Sequence, residues 1–422
     1  MLIKNAAQLV TPIRLSQTEE YRMGELLIIE DGSVAIHDKK IVAVGTTSEL
    51  SQKLDGEKPK TIIDAAHKVV MPGFVDCHTH PIFLDTRENE FEMRIRGKSY
   101  REIAAAGGGI RSSVRKIREA SKEQIIRAVL PRLDRFLEYG TTTIEAKSGY
   151  GLSPEDEIKS LEVIQELNRL HPIDLVPTFL GAHEVPDEYR TRRKAYIDLI
   201  IHEMIPRVVD QRLAEFCDIF IEQDVFTVEE GRQILNAAKK SGLRPKVHAN
   251  QLTANEGAAL AAEVGAVSAE HLDHITPDEI ELLKDAGVVP VLLPGAVFYL
   301  KLQKYAPARE MIDAGLPVAI STDFNPGSCM TESMSIIMTL ACINMRLLPS
   351  EAITAATINA AMAIERQHKI GSLEIGKKAD VVIWDMPNYL HLPYHFGVNL
   401  SHIVIKDGDV VWEKHHRALN CN

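Results

Sequence analysis

Between residues 71 and 370, short apolar runs alternate with longer stretches in which apolar residues recur every three or four positions. Runs at 69–80, 141–146, 174–182, 219–222, 245–248, 266–271, 288–293 and 317–323 read as eight strands, and stretches at 154–170, 228–241 and 276–286 as amphipathic helices. Eight strand–helix units predict an α/β fold, a closed parallel (β/α)8 barrel of the TIM type. An open doubly wound sheet is the alternative, but the GxGxxG turn expected after its first strand is absent. The chain ends have another rhythm. Runs at 26–30, 33–37, 41–44, 61–63, 380–385, 402–406 and 410–412 read as strands, with turn residues at Asp31–Gly32, 38–40, Asp55–Gly56 and 407–409. A ribbon from either end alone is marginal. Residues 1–70 and 371–422 are therefore expected to build one small composite β-sandwich domain, and residues 71–370 the catalytic barrel.

Composition narrows the function. The 422 residues are 45% hydrophobic and 25% charged, an ordinary globular balance. A formal net charge of -11 repels phosphate backbones, so no nucleic-acid partner is expected. Basic clusters such as Arg192–Arg193–Lys194 are short and read as solvated surface. The five cysteines, Cys77, Cys217, Cys329, Cys342 and Cys421, are scattered and form no CxxC pair, which fits a reducing compartment better than a disulfide framework. Met1 to Val10 lacks the apolar core of a signal peptide, and no stretch reaches the roughly 18 apolar residues that cross a bilayer. A cytoplasmic protein without a membrane partner is expected.

The candidate chemistry sits at strand ends. Side chains alternate along a strand, so His78 and His80 point the same way, toward the mouth where barrel enzymes keep their sites. Two neutral imidazoles side by side can chelate a metal. His183, His248, His271 and Asp323 end the third, fifth, sixth and eighth predicted strands. A purely structural explanation has to excuse each of them separately. Cys77 faces away from His78 and reads as a packed residue. Gly107–Gly108–Gly109 lacks a following Gly-Lys-Ser/Thr and reads as a flexible loop at the site. The cluster of His391, Tyr394 and His395 reads as a loop packing the two domains together.

The run Met71–Pro72–Gly73–Phe74–Val75–Asp76–Cys77–His78–Thr79–His80 resembles the first strand of the amidohydrolase superfamily, and Gly371 to Asp380 resembles that superfamily's return into its β domain. Within it, Arg96–Gly97–Lys98–Ser99–Tyr100 with the 107–110 loop, Lys147–Ser148–Gly149–Tyr150–Gly151, Leu293–Pro294–Gly295 and Thr322 to Ser328 are similar to the members that open the ring of 4-imidazolone-5-propanoate in histidine degradation. The resemblance implies that His78, His80, His248 and Asp323 are metal ligands. It implies that Arg87, Tyr150, His183, Gln251 and Ser328 contact substrate, that Asn325 and Gly327 contact the opened product, and that His271 is a catalytic histidine. It also implies a homodimer.

The chemistry of these residue types agrees. A propionate calls for a cation, and Arg87 can pair with it bidentately, with a hydrogen bond from Tyr150 and a weaker candidate in Tyr100. The bland alternatives are a surface charge for Arg87 and a packed aromatic for Tyr150. Asp323 is expected to carry the proton from water to the leaving nitrogen, and His271, with His183, to hydrogen-bond the oxyanion. Many two-metal members of that superfamily carry a bridging Lys near the end of the fourth strand. The segment Phe220–Ile221–Glu222–Gln223–Asp224 has none, so one divalent or trivalent ion per chain, Zn or Fe, is expected. Gln251 stands where a glutamate is often found, and an amide cannot shuttle a proton. That weakens the main enzymatic rival, a nucleobase deaminase on the same barrel, which needs an acid there. The rival of another class, a non-catalytic barrel scaffold, has to explain why His78, His80, His248 and Asp323 are all intact.

Overall fold

The computed structural model describes residues 1–13, 22–53, 59–98, 102 and 107–414; the turn at Asp55–Gly56, Tyr100 and Cys421 lie outside them. Eight parallel strands form the barrel sheet: β6 (Phe74–Asp76), β7 (Thr141–Lys147), β8 (Asp174–Ala182), β9 (Phe216–Ile219), β10 (Arg244–Ala249), β11 (Ser268–His271), β12 (Val289–Leu292) and β13 (Ala319–Ile320), in that spatial order. The helices between them begin where the sequence supplies caps. Ser121, Thr227 and Thr276 each close a capping box with the Gln or Glu three residues on, and Gly287 ends Pro277–Ala286 in the left-handed conformation.

β6 and β13 are too short to form a ladder with each other, and the barrel closes beyond their ends. His80 N–H donates to the Phe324 carbonyl at 2.9 Å and Asp323 N–H to that of His78 at 3.2 Å. The buried Asp76 carboxylate accepts from the Ser321 hydroxyl, and at 3.0 and 2.6 Å from the Thr322 N–H and hydroxyl. Side chains thus finish a seam that backbone bonds leave open.

The second sheet joins both chain ends into a β-sandwich: β1 (Leu2–Pro12), β2 (Leu26–His37), β3 (Lys40–Thr46), β4 (Ile62–Asp64), β5 (Val69–Pro72), β14 (Val381–Trp384), β15 (Ser401–Lys406) and β16 (Asp409–Glu413). Its path runs β16-β15-β14-β5-β1-β2-β3, with β4 also on β1. It has its own core, including Ile3, Leu9, Val34, Val70, Val381 and Ile405. Among the described residues no helix is long and apolar enough to cross a membrane.

Three elements differ from the sequence reading. The run at 69–80 is two strands: β5 pairs with β1 and β14, and β6 with β7. The chain changes sheets at Gly73, whose N–H goes to Asp380 while that of Phe74 goes to Gly140; a β-carbon at Gly73 would collide with the Thr142 side chain. The fourth barrel strand is Phe216–Ile219, not 219–222, because Arg244 and Pro245 of β10 pair back to Phe216 and Cys217. Asp31–Gly32 is no hairpin turn but an irregularity inside β2; Asp31 has φ 49°, and the register slips opposite Asn5 at φ 60°.

Candidate metal centre and active site

His78 and His80 leave the C-terminal end of β6 with their Nε2 atoms 3.3 Å apart. His248, at the C-terminal end of β10, brings its Nε2 to 3.4 Å from that of His80. Asp323 places Oδ1 3.6 Å from Nε2 of both His78 and His80. Donor atoms on a tetrahedral ion with bonds of about 2.0–2.1 Å stand about 3.3–3.4 Å apart, so this cage has the right size for a metal. His271 approaches as well: His78, His248 and His271 form a second donor group beside that of His78, His80 and Asp323. Burial, helped by the Lys147 ammonium at His78 and by His183 at His80, holds both imidazoles well below the ordinary histidine range. They are therefore neutral, which is the ligating form.

The far side of each ring is also arranged. His248 Nδ1 lies 3.0 Å from Asp218 Oδ2, and His78 Nδ1 3.4 Å from Glu270 Oε2. A carboxylate behind a histidine takes the Nδ1 proton and turns the Nε2 lone pair to the ion. Two fully buried lysines balance these anions. Lys147 Nζ is 2.6 Å from Asp218 and 2.9 Å from Glu145, and Lys246 Nζ is 2.7 Å from Glu145 and 3.2 Å from Glu270. The sequence reading assigned no role to Asp76, Glu145, Lys147, Asp218, Lys246 or Glu270. The signal was there: charged residues inside otherwise apolar strands, as in Ile144–Glu145–Ala146–Lys147, have to be paired in a closed barrel.

The other predicted site residues surround the cage. His183 stacks on His80, with centroids 5.2 Å apart, and its Nδ1 is 2.9 Å from the Gly149 carbonyl. A carbonyl only accepts, so Nδ1 carries the proton; burial brings the imidazole down to about 3, keeping it neutral. Its Nε2 is then left as an acceptor. Tyr150 is buried 5.4 Å from the His183 ring. His271 sits at φ 73°, a strained backbone that aims the ring at His78 and His248, 5.5 and 5.4 Å away. Gln251 is half-buried just past β10.

The loop after β13 makes a tight turn. Asn325 Oδ1 accepts from the N–H groups of Gly327 and Ser328 at 2.8 and 2.7 Å, and its Nδ2 donates to the Asp323 carbonyl and Ser328 Oγ. Asn325 therefore spends its side chain on the loop itself, and Ser328 Oγ reaches Asp323 Oδ2 at 3.3 Å. Burial pushes the Asp323 carboxyl up to about 7, against the pull of His248 and of hydrogen bonds from Asn325 and Ser328. The Arg87 guanidinium packs against Gly327, where a β-carbon would strike it, and donates from Nη2 to Glu90 Oε2 at 2.6 Å. Glu90 Oε1 accepts the Gly109 N–H at 2.9 Å, which ties the glycine loop to Arg87.

The model of the amidohydrolase family matches residues 69–411. The imidazolonepropionase of Geobacillus sp. (strain WCH70) is 50% identical over 414 residues, covering 97% of each chain. That of Alkaliphilus metalliredigens (strain QYMF) is 48% identical over 415 residues, covering 98% of each. Among solved structures, a 5-methylcytosine deaminase from Klebsiella pneumoniae with phosphonocytosine superposes with a TM-score of 0.74 at 15% identity, covering 99% of both chains. An adenosine deaminase from Xanthomonas campestris with bound zinc gives 0.67 at 20%, covering 97% of this chain and 92% of that one. At such identities the deaminases speak for the fold alone, whereas the imidazolonepropionases match in sequence from end to end. The chain belongs to the amidohydrolase family and, within it, to the imidazolonepropionases.

Proposed function

We propose that this chain hydrolyses the lactam C–N bond of 4-imidazolone-5-propanoate to N-formimidoyl-L-glutamate, using one Zn or Fe ion held by His78, His80, His248 and Asp323. The observation that carries this reading is the cage of three imidazoles and one carboxylate at ligand spacing, beside an arginine suited to a carboxylate. An ion held there polarises a carbonyl and makes water more acidic.

The chain's own residues divide the remaining work. Arg87 receives the propionate, with Tyr150 beside it, and so sets the ring's position. His183 Nε2 accepts a ring N–H. Asp323 Oδ1 faces the imidazoles, and Oδ2, steadied by Ser328, is left to handle the proton. Water oxygen bonds to the ring carbonyl carbon while Asp323 takes one of its protons. His271 hydrogen-bonds the developing oxyanion. The C–N bond then breaks, and Asp323 returns the proton to the leaving nitrogen; the second water proton leaves with the new carboxylic acid. Gln251 hydrogen-bonds the ring and moves no proton.

Freshly made imidazolone-propanoate should lose its ultraviolet absorbance on adding metal-loaded protein, without ammonia release. Ammonia release would instead assign a deaminase, and an unchanged spectrum would remove the assignment. Light scattering of the purified chain tests the homodimer implied by the resemblance.

A further inference from the structure

Gly327 is gripped from two sides. Arg87 lies against its α-carbon, and Arg94 Nη1 donates to its carbonyl oxygen at 2.7 Å. Arg94 belongs to the helix Glu88–Ile95, whose first turn carries Glu90. Its Nε and Nη2 are buried and, apart from the Tyr299 hydroxyl close to the guanidinium, have no well-aligned acceptor among the described residues, and Arg87 Nε likewise has none. The Tyr299 ring lies 5.2 Å from the Arg94 guanidinium carbon and closes its other side. Among the described residues, two guanidiniums thus converge on one turn with a single hydrogen-bonded carboxylate, Glu90, which is committed to Arg87 and to the Gly109 N–H. Buried donors without acceptors are costly, and a guanidinium cannot shed its charge. Burial, with Arg87 nearby, already pulls the Arg94 group below its ordinary value.

We infer that Arg94 is the second guanidinium of the anion-binding end, so that the site selects ligands with one carboxylate through Arg87 and Arg94 together. The inference rests on the proposed pairing of Arg87 with the substrate's propionate. Among the described residues, three N–H-bearing atoms without a well-aligned carboxylate and a net charge of one beyond Glu90 match one carboxylate. Through the Gly327 carbonyl, Arg94 also places the turn whose Ser328 reaches Asp323, so the anionic end and the reacting end share one loop.

The test uses imidazole-4-propanoate and its neutral amide, imidazole-4-propanamide, as competitive inhibitors of the metal-loaded enzyme. The ratio of their inhibition constants on one preparation cancels any loss of folded protein. The wild type should prefer the carboxylate strongly. Arg94→Gln should cut that preference by on the order of tenfold to a hundredfold, the worth of a hydrogen bond to a charged group. Arg94→Lys, which keeps the charge and a donor for Gly327, should lose less and serves if the Gln variant does not fold. If the wild type prefers the carboxylate and both Arg94 variants keep the full preference, Arg94 is only a support for the loop and the inference is overturned. If the wild type shows no preference, the propionate reading of Arg87 fails first.

Discussion

Asp218→Asn changes one atom and should cost the protein much of its grip on the metal. Three donors converge on this carboxylate and nothing accepts from it. Oδ2 is 3.0 Å from His248 Nδ1 and 2.6 Å from Lys147 Nζ, and Oδ1 takes the Ile219 N–H at 2.7 Å. Burial alone would raise this carboxyl, but His248 and Lys147 outweigh it and hold it well below the usual range. An amide offers one oxygen and one NH2 group, so at least one donor must face another donor in a fully buried place. If the NH2 turns to His248, the imidazole loses its reason to carry the proton on Nδ1, and the Nε2 lone pair is no longer held toward the cage. Loss of such an outer partner weakens metal binding by about 10–100-fold. If the NH2 turns to Ile219, Lys147 and His248 share one neutral oxygen. Breaking a buried ion pair costs about 3–5 kcal/mol; here Glu145, 2.9 Å from Lys147, places the loss at the lower end. The assay is competition with a graded chelator, beside denaturant unfolding of the metal-free protein. If Asp218→Asn holds its metal as tightly as the wild type, the carboxylate does not orient His248 and the argument is wrong.

Other consequences can be checked as directly. Elemental analysis of active protein should give one metal per chain; two tightly bound ions would show that the lysine-free fourth strand does not limit the count. Arg87→Ala should lose on the order of 2–5 kcal/mol of transition-state binding, and Arg87→Lys should restore little of it, since an ammonium lacks the planar fork; kcat/KM on the anionic substrate is the readout. Metal-reconstituted Asp323→Asn should be nearly without turnover while Gln251→Glu keeps most of it, and the reverse order would move the proton role to position 251. Asp174, at the start of β8, ties the barrel to Lys378 and Lys406 of the β domain at 2.8 and 2.9 Å. Burial opposes its ionisation, but the two lysines win and hold it below 3.8. Its folded value is depressed, so its contribution is complete above the unfolded value and fades as pH falls through the folded one. The difference in unfolding midpoint between wild type and Asp174→Asn should therefore be level above about pH 5 and shrink toward pH 3. A difference that does not change with pH would count against it.

The barrel was legible because its strands are apolar runs at regular spacing, and the cluster of His78, His80, His248 and Asp323 because imidazoles and a carboxylate recur at their ends. What stayed hidden depends on contacts distant in sequence. Nothing near Gly73 announces that its N–H and that of Phe74 turn to different sheets, since the deciding atoms are in Asp380 and Gly140. The fourth strand was misplaced by three residues because Phe216 to Ile221 is apolar on both sides of Asp218, and only the register with β10 decides. Glu145, Asp218 and Glu270 each look like a stray charge in a strand, and they gain meaning only when folding sets Lys147 and Lys246 between them. His183 stands beside His80, and the Gly149 carbonyl that sets which of its nitrogens carries the proton is not visible in the sequence.

The seam of the barrel bears on how the protein is made. Asp76 and Ser321, which lock it, are 245 residues apart in the chain. His78 and His80 stand on one lip and Asp323 on the other, and β5 waits for β14 to complete its sheet. A nascent chain that has emerged only as far as β12 carries three of the four cage donors around an open edge, with the Asp76 carboxylate unmatched. The seam can close only once residues 321–323 have been made, and the β sheet only once β14 has followed. Fragments that end before residue 321 therefore lack both the partners of Asp76 and the carboxylate that faces His78 and His80.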